Sequence, residues 1–342
     1  MAAKEKIKVL VVDDSLVSRE VIARGLALDV QIEIVGKAVD PFDARDKIVA
    51  LRPDVMTCDI EMPRMNGIEF IRRLLPQYPL PVVVVSSISS AVFEALNAGA
   101  VDFVTKPDFS SPAAVENFIK ELINKVKIAS RAQVKTAPPL LLRQSGGPQT
   151  TVAADKIIAI GASTGGTEAI YQLLKQLPAK MPAIVIVQHI PAVFSRLFAE
   201  RLNQQLPFRV KEAVSGDYLD PGTVLIAPGD YHLQVRRSGT RYQAVVEQGE
   251  RVNGHCPSVD VLFTSVAKEV GEKAIGVILT GMGYDGARGL LAMRRKGAKT
   301  VGQDEASSVV YGMPKAAFEL GAVEIQAPLA KIPQILLSLV SR

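Results

Sequence analysis

Cysteine is scarce. Cys58 and Cys256 are the two in 342 residues, too few for a disulfide framework, so a reducing compartment is the default expectation. No apolar run approaches the roughly 20 residues that a bilayer-spanning helix needs. The first such run, Val9–Val12, is too short for a secretory signal and is broken at once by Asp13 and Asp14. Excess charge of one sign is also small. Lys plus Arg number 40 against 35 Asp plus Glu, a surplus of +5, without the concentrated patch that a nucleic-acid partner requires. There is no repeat of short period. The chain is 48% hydrophobic and 22% charged with a mean hydropathy of +0.20, which excludes a disordered or fibrous protein. Its 36.7 kDa suits two domains. The expectation is a cytoplasmic protein of two α/β domains, not inserted in a membrane.

The chain divides near residue 140. From Ile7 to about Ile128, strand-length apolar runs alternate with amphipathic helical stretches. Strands are predicted at Ile7–Val12, Ile32–Ala38, Asp54–Asp59 and Pro81–Ser86, with a weaker one near Val101–Val104; helices fit Pro41–Leu51 and Gly67–Leu75. Continuous apolar runs such as Val82–Val85 suit strands covered on both faces, and regular alternation implies a doubly wound parallel sheet. Between Lys127 and Thr151 the pattern dissolves. Pro138-Pro139, Gly146-Gly147-Pro148, four basic residues and no acidic one predict a solvated linker, with Leu140–Leu142 an apolar interruption suited to docking. The expected domains are 1–128, a linker over 129–152, and 153–342. The second half alternates again, with strands predicted at Lys156–Gly161, Ala183–His189, Thr223–Ala227, Ala274–Thr280 and Lys299–Gln303, plus an antiparallel hairpin around Ser238-Gly239.

Open parallel sheets bind ligands at the carboxyl ends of their strands. In the first half those ends carry Asp13 and Asp14, Asp59, Ser86 and Lys106. Three converging carboxylates repel one another unless a cation is bound, and a hard oxygen set suits Mg²⁺. The hydroxyl of Ser86 and the ammonium of Lys106, on the opposite rim, are suited to hold phosphoryl oxygens, with Asp59 as nucleophile. A single aspartate at a strand end is as readily a turn residue or helix cap; the whole set in order is not. Residues 7 to about 126 resemble a response-regulator receiver domain, on Asp13-Asp14, Asp59, Ser86, Lys106-Pro107 and the loop Asp59–Gly67. That resemblance implies a flavodoxin-like fold, phosphorylation of Asp59 by a histidine kinase, and Mg²⁺ on Asp13 or Asp14 and Asp59. The stretch from Ser86 to Leu96 is shorter than is usual in the family. Cys58 is expected to be a core thiol.

In the second half, Gly161-Ala162-Ser163-Thr164-Gly165-Gly166 follows a strand and precedes a helix predicted over Thr167–Leu177. Glycines at such a turn permit tight backbone angles. The turn fits a phosphate-binding loop poorly: the spacing departs from G-x-G-x-x-G and no P-loop lysine follows. It fits G-x-S-x-G, a turn that exposes a nucleophilic serine. A third alternative is that Ser163, Thr164 or Thr167 merely caps the helix. A serine nucleophile needs a base, and there are three histidines. His189 ends an apolar strand on the rim that carries Ser163; His255, in a turn-rich segment, is the substitute candidate; His232 lies in the hairpin. Asp285 follows the strand Ala274–Thr280 on the same rim, where it could orient the base or cap the next helix. Cys256 is a rival nucleophile beside His255.

Gly161–Gly166 (GASTGG), Gln188-His189-Ile190-Pro191, Pro257–Asp260, Thr280–Gly286 (TGMGYDG) and Gly302–Glu305 together resemble the chemotaxis protein-glutamate methylesterases, the CheB family, over essentially the whole chain. The resemblance implies Ser163 as nucleophile, His189 as base, Asp285 as its partner, and the Met282 backbone N–H as an oxyanion donor. No cofactor is implied in this half. The implied substrates are γ-glutamyl methyl esters, and glutamines, on chemoreceptors, with the unphosphorylated receiver restraining the catalytic half. A receiver fused to a DNA-binding module is the main rival class, and a nucleotide-binding module a second. The C-terminal half is too long and too rich in strands for a simple helix-turn-helix.

Overall fold

Apolar runs of the sequence become strands with no exposed face. Residues 9–12 and 82–85 are at most 1% exposed, as expected where helices cover both sides of a sheet. The computed structural model describes residues 5–87, 89–134 and 155–341. It divides into two compact units, Met1–Leu141 and Leu142–Arg342. From position 135 on, the linker expected over 129–152, including Leu140–Leu142, lies outside the described residues.

The first unit runs β1 (Ile7–Val12), α1 (Leu16–Leu26), β2 (Ile32–Ala38), α2 (Pro41–Leu51), β3 (Val55–Asp59), α3 (Gly67–Leu74), β4 (Val82–Ser86), α4 (Ser89–Asn97), β5 (Asp102–Thr105) and α5 (Pro112–Ala129). Its five strands pair in parallel in the order β2-β1-β3-β4-β5. From β1 the chain winds one way to β2 and the other way to β3, so the crevice of this sheet opens between the ends of β1 and β3. Asp13 and Asp59 stand there.

Local chemistry sets the entry to α3. Asn66 caps the helix by accepting from the Glu69 N–H at 2.8 Å, and the Gly67 N–H donates to the Ile60 carbonyl at 2.9 Å. A Cβ on Gly67 would lie 2.0 Å from the Asp59 carbonyl oxygen, and backbone cannot yield as a side-chain tip can. Gly67→Ala should therefore cost about 1–3 kcal/mol, the range for overpacking. The check is the urea midpoint followed by far-UV circular dichroism; a midpoint equal to wild type would mean that the loop relaxes freely.

The second unit runs β6 (Ile157–Ala162), α6 (Gly166–Leu174), β7 (Ala183–Gln188), α7 (Ala192–Gln205), β8 (Arg209–Glu212), β9 (Thr223–Ile226), β10 (His232–Ser238), β11 (Arg241–Glu247), α8 (Val259–Glu269), β12 (Ala274–Ile278), α9 (Ala287–Arg295), β13 (Lys299–Gln303), α10 (Met313–Glu319), β14 (Ile325–Ala327) and α11 (Ile332–Val340). Seven strands pair in parallel as β14-β13-β12-β6-β7-β9-β8. The antiparallel hairpin is β10-β11, a separate two-stranded sheet with Ser238 opposite Arg241. Two strands, β8 and β14, have no counterpart in the sequence-based prediction. Both are short and lie at the sheet edges, where a strand buries less and its apolar signal fades. The switch in winding direction falls between β6 and β12, and the loops after these strands meet over their carboxyl ends: Ser163 N–H donates to the Thr280 carbonyl at 3.0 Å.

Candidate active site

Ala162 of β6 is paired with Gln188 of β7, and the His189 N–H donates to the Ala162 carbonyl at 3.1 Å. Ser163 and His189 are thus the next residues along two adjacent parallel strands, whose backbones run about 4.8 Å apart. Gln188, buried at the end of β7, donates from Nε2 to the Ser163 carbonyl at 2.8 Å. The loop after β12 presses from the other side. A Cβ on Gly281 would lie 2.7 Å from Ser163 Cβ and 2.4 Å from Met313 Sδ, so only glycine lets that loop approach. Ser163 itself is half-buried. The N-cap of α6 is Gly165, with no side-chain cap; neither Ser163, Thr164 nor Thr167 plays the capping part considered from sequence.

His189 Nε2 lies 2.9 Å from Asp285 Oδ2, with the imidazole 8% and the carboxylate 1% exposed. Asp285 does not cap α9, whose N-cap is Gly286. It caps α8 instead, from outside that helix. Its carboxylate accepts from Val259 N–H at 2.7 Å and Asp260 N–H at 3.3 Å. Ser258 Oγ and Asn253 Nδ2 each donate to it at 2.8 Å. Burial alone would push the Asp285 carboxyl up, but hydrogen bonds from His189, Asn253 and Ser258 outweigh it and hold the group well below the usual carboxylate range. An ionised carboxylate only accepts, so the proton of a neutral His189 ring sits on Nε2 and the lone pair on Nδ1. Nδ1 is buried and has no partner among the described residues.

A second carboxylate, Asp260, stands behind the first. It accepts from Gly289 N–H at 2.6 Å and shares Asn253 Nδ2 with Asp285, at 2.8 Å. Burial pushes its carboxyl up, and the Asp285 charge adds to that. Asn253 therefore separates two buried acids by giving a hydrogen bond to each. The Met282 N–H finds no acceptor among the described residues, and the residue is half-buried beside Ser163's loop. His255 lies flat on His189, ring centroids 3.7 Å apart and planes 9° from parallel. His232 is engaged elsewhere: Nε2 meets the Glu250 carbonyl at 2.9 Å and Nδ1 accepts from Ser258 N–H at 3.2 Å. The Cys256 thiol is pushed up by burial and by Asp230, which disfavours the thiolate that a nucleophile needs.

The first unit brings Asp13, Asp14 and Asp59 together, with ligand atoms within 4.8 Å of one another. Lys106 Nζ donates to Asp59 Oδ2 and, at 2.9 Å, pairs with Asp13 Oδ2. Ser18 Oγ and Ser15 N–H hold Asp13 at 2.6 and 2.9 Å. Ser86 ends β4, in the register after the Asp59–Val85 pair, and is buried. Burial pushes the Asp59 carboxyl up; Lys106 opposes this and the Asp13 charge reinforces it. Three carboxylates facing one ammonium leave the pocket short of positive charge, and the all-oxygen donor set fits a divalent cation. Cys58 is fully buried, its thiol pushed far up by desolvation, as a core thiol should be.

The structure brings Asp13, Asp14, Asp59 and Lys106 together in the first unit and His189 and Asp285 in the second, with Ser86 at the end of β4 and Ser163 and Met282 in the loops after β6 and β12. The positions not foreseen are Asn253, Ser258 and Asp260 around Asp285, and Gln188 under Ser163. Ser258, Asp260 and Gln188 stood within segments that carried the family resemblance; their partners lie too far along the chain for spacing to reveal.

Two such crevices in one chain, one acidic and one with a Ser–His–Asp constellation, define a receiver-regulated hydrolase. The response regulator receiver domain family matches residues 9–115, and the CheB methylesterase family matches residues 158–336. The chain belongs to the CheB methylesterase family. It is 56% identical over 340 residues to a protein-glutamate methylesterase/protein-glutamine glutaminase 2 of Syntrophomonas wolfei, covering 98% of each chain. A protein-glutamate methylesterase/protein-glutamine glutaminase of Syntrophotalea carbinolica is 56% identical over 327 residues, 93% of each. Among solved structures, the Thermotoga maritima CheB methylesterase catalytic domain superposes with a TM-score of 0.53 at 37% identity, covering 54% of this chain and 98% of that one.

Proposed function

We propose that this protein hydrolyses γ-glutamyl methyl esters, and deamidates glutamines, on the helices of chemoreceptors, under control of phosphorylation at Asp59. The observation that carries the reading is the His189 ring, whose Nε2 is bound to Asp285 while the buried Nδ1 has no partner among the described residues, on the strand adjacent to the one that ends at Ser163. In this reading Ser163 Oγ attacks the ester carbonyl and passes its proton to His189 Nδ1. The oxyanion of the tetrahedral intermediate accepts from Met282 N–H. The C–O bond to the methoxy group breaks, and that group leaves as methanol with the proton from His189. A water, deprotonated by His189, then attacks the acyl-Ser163 ester; the bond from the acyl carbon to Oγ breaks, Ser163 takes the proton back from His189, and the glutamate carboxylate is freed. With a glutamine the same steps release ammonia. Asp285 keeps the imidazole in the required tautomer and offsets the charge it acquires.

In the receiver, Asp13, Asp14 and Asp59 are the residues to hold Mg²⁺, which would neutralise charge on an incoming phosphoryl group. Ser86 and Lys106 are suited to contact its oxygens, and a chemotaxis histidine kinase is the phosphodonor in this reading. Among the described residues no helix is long and apolar enough to cross a membrane; the enzyme is assigned to the cytoplasm, where receptor signalling helices and the kinase would meet it.

The test is initial methanol release from a methylated receptor, with and without a small-molecule phosphodonor. Release from the full chain should rise about tenfold with the donor, equivalent to roughly 1.4 kcal/mol of restraint removed. The 153–342 fragment should start high and ignore the donor. No release under any condition would overturn the esterase reading. A fragment slower than the unphosphorylated chain would mean that the receiver activates rather than restrains.

A further inference from the structure

The turn 252–255 grips both members of the His189–Asp285 pair at once. Val252 and His255 exchange two backbone hydrogen bonds of 3.0 Å, which fixes the turn on itself. From its second position Asn253 reaches Asp285 and Asp260. From its last, His255 lays its ring on His189 at 3.7 Å. The bond between His189 Nε2 and Asp285 Oδ2 fixes one edge of the imidazole but leaves rotation about that axis open. A flat ring against its face removes that freedom.

We propose that His255 is a positioning residue for the ester hydrolysis proposed above: its ring holds the His189 imidazole in the orientation that serves Ser163 and stabilises the imidazolium that forms when Ser163 gives up its proton. Two cations stacked face to face would repel, so His255 has to stay uncharged for this. Its surroundings ensure that. Burial first, and then the proximity of His189, with Arg251 adding, push the His255 imidazole down to about 4 against the opposing pull of Asp285. The charged and titratable groups facing the pair are Asp285 at the edge of His189, Asp260 behind Asp285, and Arg251 immediately before the turn. An uncharged aromatic face attracts a cation laid over it, more strongly where water is excluded.

The three histidines His189, His232 and His255 make the test clean, because a histidine-labelled full-length protein gives three ring signals. In His255→Ala, kcat on a methylated receptor should fall roughly tenfold with KM little changed, as expected for a misoriented base. The pH midpoint of the His189 signal, read without substrate, should drop by about half a unit to one unit, the size of a lost cation–π contact. His255→Phe, which keeps a flat ring and cannot titrate, should recover most of both losses. His255→Gln, polar and without a ring, replaces the alanine variant if that one does not fold, and carries the same expectations. An unchanged midpoint and kcat in the ringless variants, or a phenylalanine variant no better than they are, would overturn the proposal. A shifted midpoint in a protein with no esterase activity would overturn the reaction and keep the stack.

Discussion

Ser163→Ala and His189→Ala each lower kcat on a glutamyl methyl ester by about 10⁴-fold or more, and the double variant is hardly slower than either. A loss of that size is about 5.4 kcal/mol of transition-state stabilisation. It follows from the way the three side chains depend on one another. Without the Ser163 hydroxyl, His189 has no proton to take; without His189 to take its proton, the hydroxyl is too weak a nucleophile. Removing the second member therefore takes away nothing that still works. The residual rate should come from donors such as the Met282 N–H, which neither substitution touches. Because both residues lie at strand ends and are half-buried, unchanged circular dichroism is the control for folding. Turnover in Ser163→Ala within tenfold of wild type would end the serine assignment and send attention to Cys256, despite a thiol held in its protonated form.

The second large effect is all-or-none. A small-molecule phosphodonor should label wild type and leave Asp59→Asn unlabelled, and a chelator should suppress labelling of wild type. The charge count around Asp59 requires this. A phosphoryl group carries negative charge toward three carboxylates, two of them paired with Lys106, and approach without a cation is strongly disfavoured. The labelling rate also has a direction in pH. Attack needs the ionised carboxylate, and burial raises the pKa of Asp59. As pH falls, labelling at low metal should begin to decline above the range where an ordinary aspartate protonates; saturating divalent cation should move that limb down. Full labelling of Asp59→Asn would place the acceptor elsewhere, and a limb unmoved by metal would separate the cation from Asp59.

The two sheets were legible because a doubly covered strand writes itself as an unbroken apolar run, and Val82–Val85 or Ala183–Val187 admits little else. Runs of that kind also told where each strand ends, so the rim residues Asp13, Asp59, Ser163 and His189 could be read together. Two features escaped for opposite reasons. β8 and β14 are too short and too thinly covered to print a pattern. Asn253, Ser258 and His255 lie in turns, where composition says that the chain bends but not what it bends against. Asp285 shows the same limit: its place before a helix suggested a cap for α9, whereas the helix it caps is α8, which precedes it in the chain. Periodicity reports burial; it carries no information on which distant turn a carboxylate will meet.

The strand order of the second sheet bears on how the enzyme is made. β6 is the first of its strands to be synthesised, yet it lies near the middle, between β7 and β12. β7 arrives promptly and brings His189 beside Ser163. The other neighbour does not, since Ile157 must wait for Ala274, and only β13 and β14 are translated after β12. A chain still emerging from the ribosome thus carries Ser163 and His189 without Asp285, and presents the apolar strand Ile157–Ala162 with one edge unpaired. Such long-range pairing folds slowly. Stalled or clipped chains that stop short of β12 are both inert and adhesive, natural clients for chaperones. With Asp285 as the proposed partner of His189, esterase activity waits until synthesis has passed β12, the strand that covers the second edge of β6.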